Sequence, residues 1–192
     1  MKHEGVERYR DVVAKWDRNL SLLSRGNGGY VSDAMLGDSR TLATYFRPDD
    51  HHVDIGTGNG LPILPALAIA NIRPSKISVV EADRRKAAFL RAATREMGLD
   101  VTVIAERIEN SGALSANSIS AKAFAPLPRL LDLAVPHLAP GGRILAFKGR
   151  QAGREIAEAA ATWDFEIEKN EVDDGTGAVL LVIRNPKRRT SE

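Results

Sequence analysis

An α/β fold with a doubly wound, mostly parallel sheet is predicted by three features of this 192-residue sequence. Short apolar runs alternate with helical segments through the middle of the chain, the pattern of parallel strands covered by helices on both faces. A glycine-rich turn, Asp54-Ile55-Gly56-Thr57-Gly58-Asn59-Gly60, joins the first of these runs to a helical segment. The last two apolar runs flank a short turn with no helix between them, which reads as an antiparallel hairpin.

The elements follow in order. Residues 6–23 carry Val6, Tyr9, Val12, Val13, Trp16, Leu20 and Leu23 at helical spacing. Trp16 shares the phase of Val12, Val13 and Leu20, so it reads as packing rather than as a base-stacking platform. A glycine-rich loop at 25–29 breaks this helix. Ser32 is placed to cap a second helix that Arg47-Pro48-Asp49-Asp50 ends near Phe46. Strands are predicted at 52–55, 77–80, 101–104, 119–124 and 143–147, with helices at 61–70, 84–97, 127–138 and 153–161. Residues 165–172 and 178–183 form the hairpin around the turn at 173–177. Five parallel units and a terminal hairpin point to the class I S-adenosylmethionine-dependent methyltransferase (Rossmann-like) form of the doubly wound sheet. The expected organisation is a short N-terminal helical extension (1–48), a methyltransferase domain (49–186) and a mobile basic tail (187–192).

Composition sets outer limits. Hydrophobic residues make up 43% and charged residues 27%, ordinary for a globular domain able to bury its own core. Cysteine is absent, which removes disulfides, thiolate metal sites and cysteine nucleophiles. His51-His52 is the sole histidine pair, and adjacent strand residues point to opposite faces, so no metal site is expected. With no apolar leader and no run long enough to span a bilayer, a cytoplasmic, monomeric protein without membrane contact is expected. The formal net charge is only +2, but it is uneven: residues 72–95 hold seven basic side chains against Glu81 and Asp83. Arg84, Arg85, Lys86, Lys148 and Arg150 are the cations best placed to meet a polyanion, although such blocks also form ordinary solvated helix faces.

The glycine turn carries the chemistry. Glycines at 56, 58 and 60 let the backbone approach a ligand and adopt conformations closed to other residues. Dinucleotide sites place the third small residue one position later, where this chain has Leu61. The spacing suits a nucleoside ligand without a pyrophosphate, such as S-adenosylmethionine. Glu81 follows the second strand, 25 residues after Gly56, where a carboxylate can accept both ribose hydroxyls.

Several segments together resemble the glucose-inhibited division protein B (GidB, RsmG) family of bacterial small-subunit rRNA guanine-N7 methyltransferases. They are Lys15-Trp16-Asp17, Asp38-Ser39, the run from Asp54 to Pro62, Lys86 with Phe89-Leu90, Arg107-Ile108-Glu109, Ala123-Phe124-Ala125-Pro126-Leu127, and Lys148-Gly149 with Glu155. The resemblance implies a cofactor site at Gly56, Thr57, Gly58, Gly60, Leu61, Glu81, Ile108, Glu109 and Lys122, with S-adenosylmethionine converted to S-adenosylhomocysteine. It implies 16S rRNA or the small ribosomal subunit as partner, and Lys122 as the catalytic residue where the family has arginine. Met35 stands where the family has histidine, and Ile63 where it has glycine. Guanine N7 has a lone pair and no proton, so no general base is expected. A methyltransferase for another RNA, a protein or a small molecule stays open, as does a non-catalytic RNA-binding module. A dinucleotide oxidoreductase is disfavoured by the early third glycine.

Overall fold

The computed structural model describes residues 2–23, 30–172 and 177–189, with side chains from Glu4 onward. Seven strands form one sheet in the order β3-β2-β1-β4-β5-β7-β6. They are β1 (His51–Ile55), β2 (Lys76–Val80), β3 (Thr102–Ile104), β4 (Ala116–Lys122), β5 (Leu138–Lys148), β6 (Trp163–Glu171) and β7 (Val179–Arg188). The first five pair in parallel, and β7 enters antiparallel between β5 and β6. Helices α1 (Lys2–Leu20), α2 (Gly37–Ala43), α3 (Ile63–Ile69), α4 (Arg84–Glu96), α5 (Leu127–Ala134) and α6 (Ala152–Ala160) cover it. The mostly parallel, doubly wound sheet with a terminal hairpin is therefore the fold present.

The two-residue period of each strand divides the interior into two cores. Val79, Leu145, Phe147, Leu180 and Val182 face α1 to α4, meeting Tyr9, Val13, Leu42, Leu64, Leu67 and Phe89. Val53, Ile55, Ile119, Ile144 and Ile183 face α5 and α6, meeting Leu127, Leu130, Leu131 and Ala159. Trp16 stacks edge-on against Phe89 of α4, ring centroids 6.0 Å apart, and joins α1 to the first core as its helical phase requires. Tyr9 is fully buried, and its hydroxyl donates to the carbonyl of Asn59, 2.8 Å away. The N-terminal helix thus supports the glycine turn from below.

Some boundaries differ from the sequence reading. Ser32 does not cap the second helix; the chain enters through a 3-10 turn, Ala34–Leu36, and α2 is only seven residues long. The adjacent Asp33 carboxylate is held by Arg10 at 2.6 Å instead of capping the backbone. The helix expected at 127–138 ends at Ala134 and continues as the 3-10 turn Val135–His137. Pro136 has no N–H to continue an α-helix. Strand β4 stops at Lys122 because Ala123 takes φ +50°, outside the extended region. β7 reaches Arg188, so Lys187 and Arg188, expected in a mobile tail, are strand residues paired with Asp164 and Trp163. Arg188 also donates to Asp132 at 2.6 Å, which fixes the strand end against α5. The expected loop at 25–29 and most of the hairpin turn at 173–177 lie outside the described residues.

Candidate active site

The carboxyl ends of β1, β2, β4 and β5 converge on two clefts, as expected where ligands bind in doubly wound sheets. The first, roughly 370 Å³, is lined by Gly56, Glu81, Ala82, Arg107, Ile108, Glu109 and Arg129, among others. The second, roughly 660 Å³, is lined by Met35, Asp38, Lys122, Phe147, Lys148 and Glu155, among others. Phe124 and Ala125 belong to both. The two volumes are in the range of small-ligand sites.

Positive backbone angles build the glycine turn: φ is +67° at Gly56, +58° at Gly58 and +90° at Gly60. At Gly56 the conformation and the space agree, because a Cβ there would overlap the Phe124 ring. Glu81 is 9% exposed. Its Oε2 accepts from the Gly58 N–H and its Oε1 from the Asp83 N–H, both at 2.8 Å. One carboxylate therefore ties the turn to the start of α4 and keeps further lone pairs for a ligand. Asp83 caps α4 by accepting from the backbone of Arg85 and Lys86, and these bonds hold its carboxyl below the usual range.

Of the residues expected to hold a cofactor, Gly56, Glu81, Ile108 and Glu109 line the first cleft. Thr57 is buried, with its hydroxyl donating to the Asp54 carbonyl at 3.1 Å. Leu61 is 7% exposed and belongs to the core beneath the turn, away from the cleft lining. An apolar side chain at that position is stabilised by burial, so the turn presents backbone and not Leu61. Lys122 belongs to the second cleft, where it forms an ion pair with Asp38 of α2.

The basic residues divide into two groups. Arg84 and Arg150 are exposed and Lys86 half-buried, while Arg85 donates to the Asn19 carbonyl at 2.7 Å and links α4 to the end of α1. Lys148 departs from expectation. Its side chain is 8% exposed, and Nζ donates to Glu155 Oε2 at 2.7 Å and to the Ala125 carbonyl at 2.6 Å. Glu155 Oε2 also accepts from the Leu127 N–H at 2.7 Å. The pair pins the 123–127 segment that separates the clefts, and its cation is enclosed rather than offered to a phosphate.

A buried polar chain escaped the sequence reading. Arg143 donates to Asp50 Oδ2 at 2.9 Å, Ser118 reaches the same carboxylate, and His52 lies between the hydroxyls of Ser118 and Ser120 at 2.8 and 2.9 Å. Ser120 then donates to Asp54 Oδ2 at 2.5 Å, directly before the glycine turn. The available signal was the period of two: the polar residues at 52, 54, 118 and 120 alternate with Val53, Ile55, Ile119 and Ala121 on two neighbouring strands.

Burial, with a smaller contribution from Arg143, pushes His52 down to about 3, and burial pushes Asp54 up to about 7. The signs oppose. Between pH 6.5 and 3 the unfolded chain gains a proton that folded His52 refuses, so stability falls on acidification. Between pH 4 and 7 folded Asp54 keeps a proton that the unfolded chain loses, so stability falls as pH rises. Urea unfolding from pH 4 to 7.5 should therefore show Asp54→Asn losing stability more steeply than wild type on acidification. His52→Asn should lose less than wild type over the same range. Parallel pH profiles for all three proteins would contradict these assignments.

The sequence model of the GidB family, described as rRNA small subunit methyltransferase G, matches residues 2–178. A ribosomal RNA small subunit methyltransferase G of Cereibacter sphaeroides is 38% identical over 182 residues, covering 93% of this chain and 88% of its own. One from Gluconobacter oxydans is 38% identical, covering 94% and 92%. Among solved structures, M. jannaschii TYW2 in complex with AdoMet superposes with a TM-score of 0.60 at 14% identity, covering 83% of this chain and 78% of its own. A Pyrococcus furiosus methyltransferase superposes at 0.59 and 19% identity, covering 93% and 96%. At these identities the structural likeness establishes the fold alone.

Proposed function

The chain belongs to the rRNA small subunit methyltransferase G family and is an S-adenosylmethionine-dependent rRNA methyltransferase, and from that premise we propose that it methylates N7 of a guanine in 16S ribosomal RNA. The observation that carries this reading is the pair of clefts sharing the Phe124–Ala125 wall. A nucleoside fits the cleft with the glycine cradle and the Glu81 acceptor; a flipped base fits the cleft with Lys122. When bound, S-adenosylmethionine supplies a sulfonium methyl that the N7 lone pair takes directly, leaving S-adenosylhomocysteine. The residues then have no proton to remove. Their work is alignment and electrostatics: Gly56 and Gly58 bring backbone to the cofactor, Glu81 accepts from its ribose, Ile108 and Glu109 flank its adenine, and Lys122 orients the base. Arg84, Arg85, Lys86 and Arg150 are the proposed phosphate contacts. The small ribosomal subunit is the proposed partner, with the protein acting as a cytoplasmic monomer. No helix among the described residues is long and apolar enough to cross a membrane.

The deciding experiment is methyl transfer to unmodified small-subunit RNA and to assembled subunits, with the modified base mapped. N7-methylguanosine at one position is the expected product; methylation at any other atom would overturn the assignment. Neutralising Arg84, Lys86 and Arg150 should weaken RNA binding and reduce its log–log salt slope by about 0.7 for each phosphate that is no longer neutralised. Cofactor affinity should stay near wild type in that variant. Glu81→Ala should weaken S-adenosylmethionine binding tenfold or more, because a charge-assisted hydrogen bond contributes about 1.5–3 kcal/mol. Calorimetry giving wild-type affinity for a folded Glu81→Ala would remove Glu81 from the site.

A further inference from the structure

The second cleft holds a polar atom for which the described residues offer no partner. Asp38, on α2, has a side chain 5% exposed and lines the cleft with Lys122. Its Oδ2 is paired with Lys122 Nζ, whereas Oδ1 is buried and accepts no hydrogen bond among the described residues. Burying a carboxylate oxygen without a donor forfeits its hydration, and native proteins rarely tolerate this unless another group completes the bond. Asp38 lines the cleft, so a donor on a molecule entering it would complete this bond.

Position narrows the chemistry of that donor. Parallel pairing sets Ile55 of β1 opposite Ala121 of β4, so Lys122 stands beside Gly56 at the edge of the cofactor cleft. Asp38 is carried by α2, whose Leu42 belongs to the first core, and its carboxylate pairs with Lys122 on the lining of the same cleft. A base entering here meets a donor and an acceptor side by side. Guanine presents the complementary pair, the O6 acceptor next to the N1–H donor. Adenine presents the reverse, an amino donor next to the N1 acceptor.

We propose that Asp38 and Lys122 together select guanine, Lys122 donating to O6 and Asp38 Oδ1 accepting from N1–H. This rests on the guanine-N7 reading and adds to it the residue that reads the base. N7 lies on the other side of O6 from N1, so the grip leaves N7 free to take the methyl. As the N7–methyl bond forms and the methyl–sulfur bond breaks, positive charge spreads through the purine and N1–H becomes a stronger donor. The Asp38 contact therefore tightens toward the transition state, where it accelerates transfer as well as selecting the base. A site built on paired donors and acceptors rejects a base that inverts them far more strongly than one that only lacks a peripheral group.

The test uses small-subunit RNA in which the mapped guanosine is replaced by inosine, 1-methylguanosine or adenosine. Inosine keeps O6 and N1–H and should be methylated within about tenfold of guanosine by wild type. 1-Methylguanosine lacks the N1 proton, and it and adenosine should fall by roughly a hundredfold or more in kcat/KM. The near-isosteric Asp38→Asn should bind S-adenosylmethionine as wild type does, lose roughly a hundredfold in kcat/KM on guanosine, and narrow the gap between guanosine and 1-methylguanosine below about tenfold. Equal turnover of guanosine and 1-methylguanosine by wild type would overturn the proposal, whether or not the variant folds. So would a gap that Asp38→Asn leaves unchanged, which would mark Asp38 as purely structural. Failure of the underlying N7 reading would appear separately, as absence of N7-methylguanosine in the unaltered RNA.

Discussion

Replacing Gly56 by valine should abolish S-adenosylmethionine binding, lowering affinity by more than a hundredfold, or about 2.8 kcal/mol at 1.4 kcal/mol per tenfold. Two independent causes act at this position. The backbone holds φ +67°, a region costing an L-residue about 1–2 kcal/mol and least open to a β-branched one. The added Cβ would also overlap the Phe124 ring, which forms the wall between the clefts. Valine therefore either reshapes the turn or displaces Phe124, and each disturbs the cofactor cleft. Calorimetry on the folded variant measures the loss, and unchanged affinity would show that the cofactor does not pass Gly56. Gly56→Ala should produce a smaller loss, and adding Phe124→Ala should restore part of it by relieving the overlap while the φ strain remains.

Lys148→Met should lower thermal stability sharply, by about 3–5 kcal/mol, because it leaves Glu155 enclosed without its cation. For a chain of this size that corresponds to roughly 6–20 °C in Tm. The Ala125 carbonyl loses its donor at the same time, so the 123–127 wall loosens and methyl transfer should fall with stability. Lys148→Met with Glu155→Met should recover much of the Tm, since removing both charges leaves none stranded. The salt dependence of RNA binding should not change in either variant. A Lys148→Met protein with wild-type Tm and a flatter salt slope would return Lys148 to the phosphate-binding set.

Both experiments turn on contacts that depend on tertiary packing, and this marks the border of what the sequence by itself determined. Strand and helix order follows from local patterning: Ile77 to Val80 and Ile144 to Phe147 are short, mostly apolar runs, and Val12, Val13, Trp16 and Leu20 keep helical phase. The glycine turn was legible because its backbone geometry demands particular residues, and Glu81 because it follows the neighbouring strand at the expected interval. The pairings of Lys148 with Glu155, Lys122 with Asp38 and Arg143 with Asp50 were not legible. Each joins residues separated by 7, 84 or 93 positions, and a side chain's charge does not reveal whether burial or solvent awaits it. Lys148, Arg150 and Arg84 look alike as letters; only the packing of α6 on the sheet encloses the first and leaves the other two exposed. Leu61 shows the same limit, since its place in a cofactor motif does not distinguish contact with a ligand from burial beneath it. Periodicity is local and survives in one dimension. Desolvation and partner choice arise only when the sheet brings β1, β4 and β5 together, so the tertiary structure decided which charges hold the fold and which stay exposed to solvent.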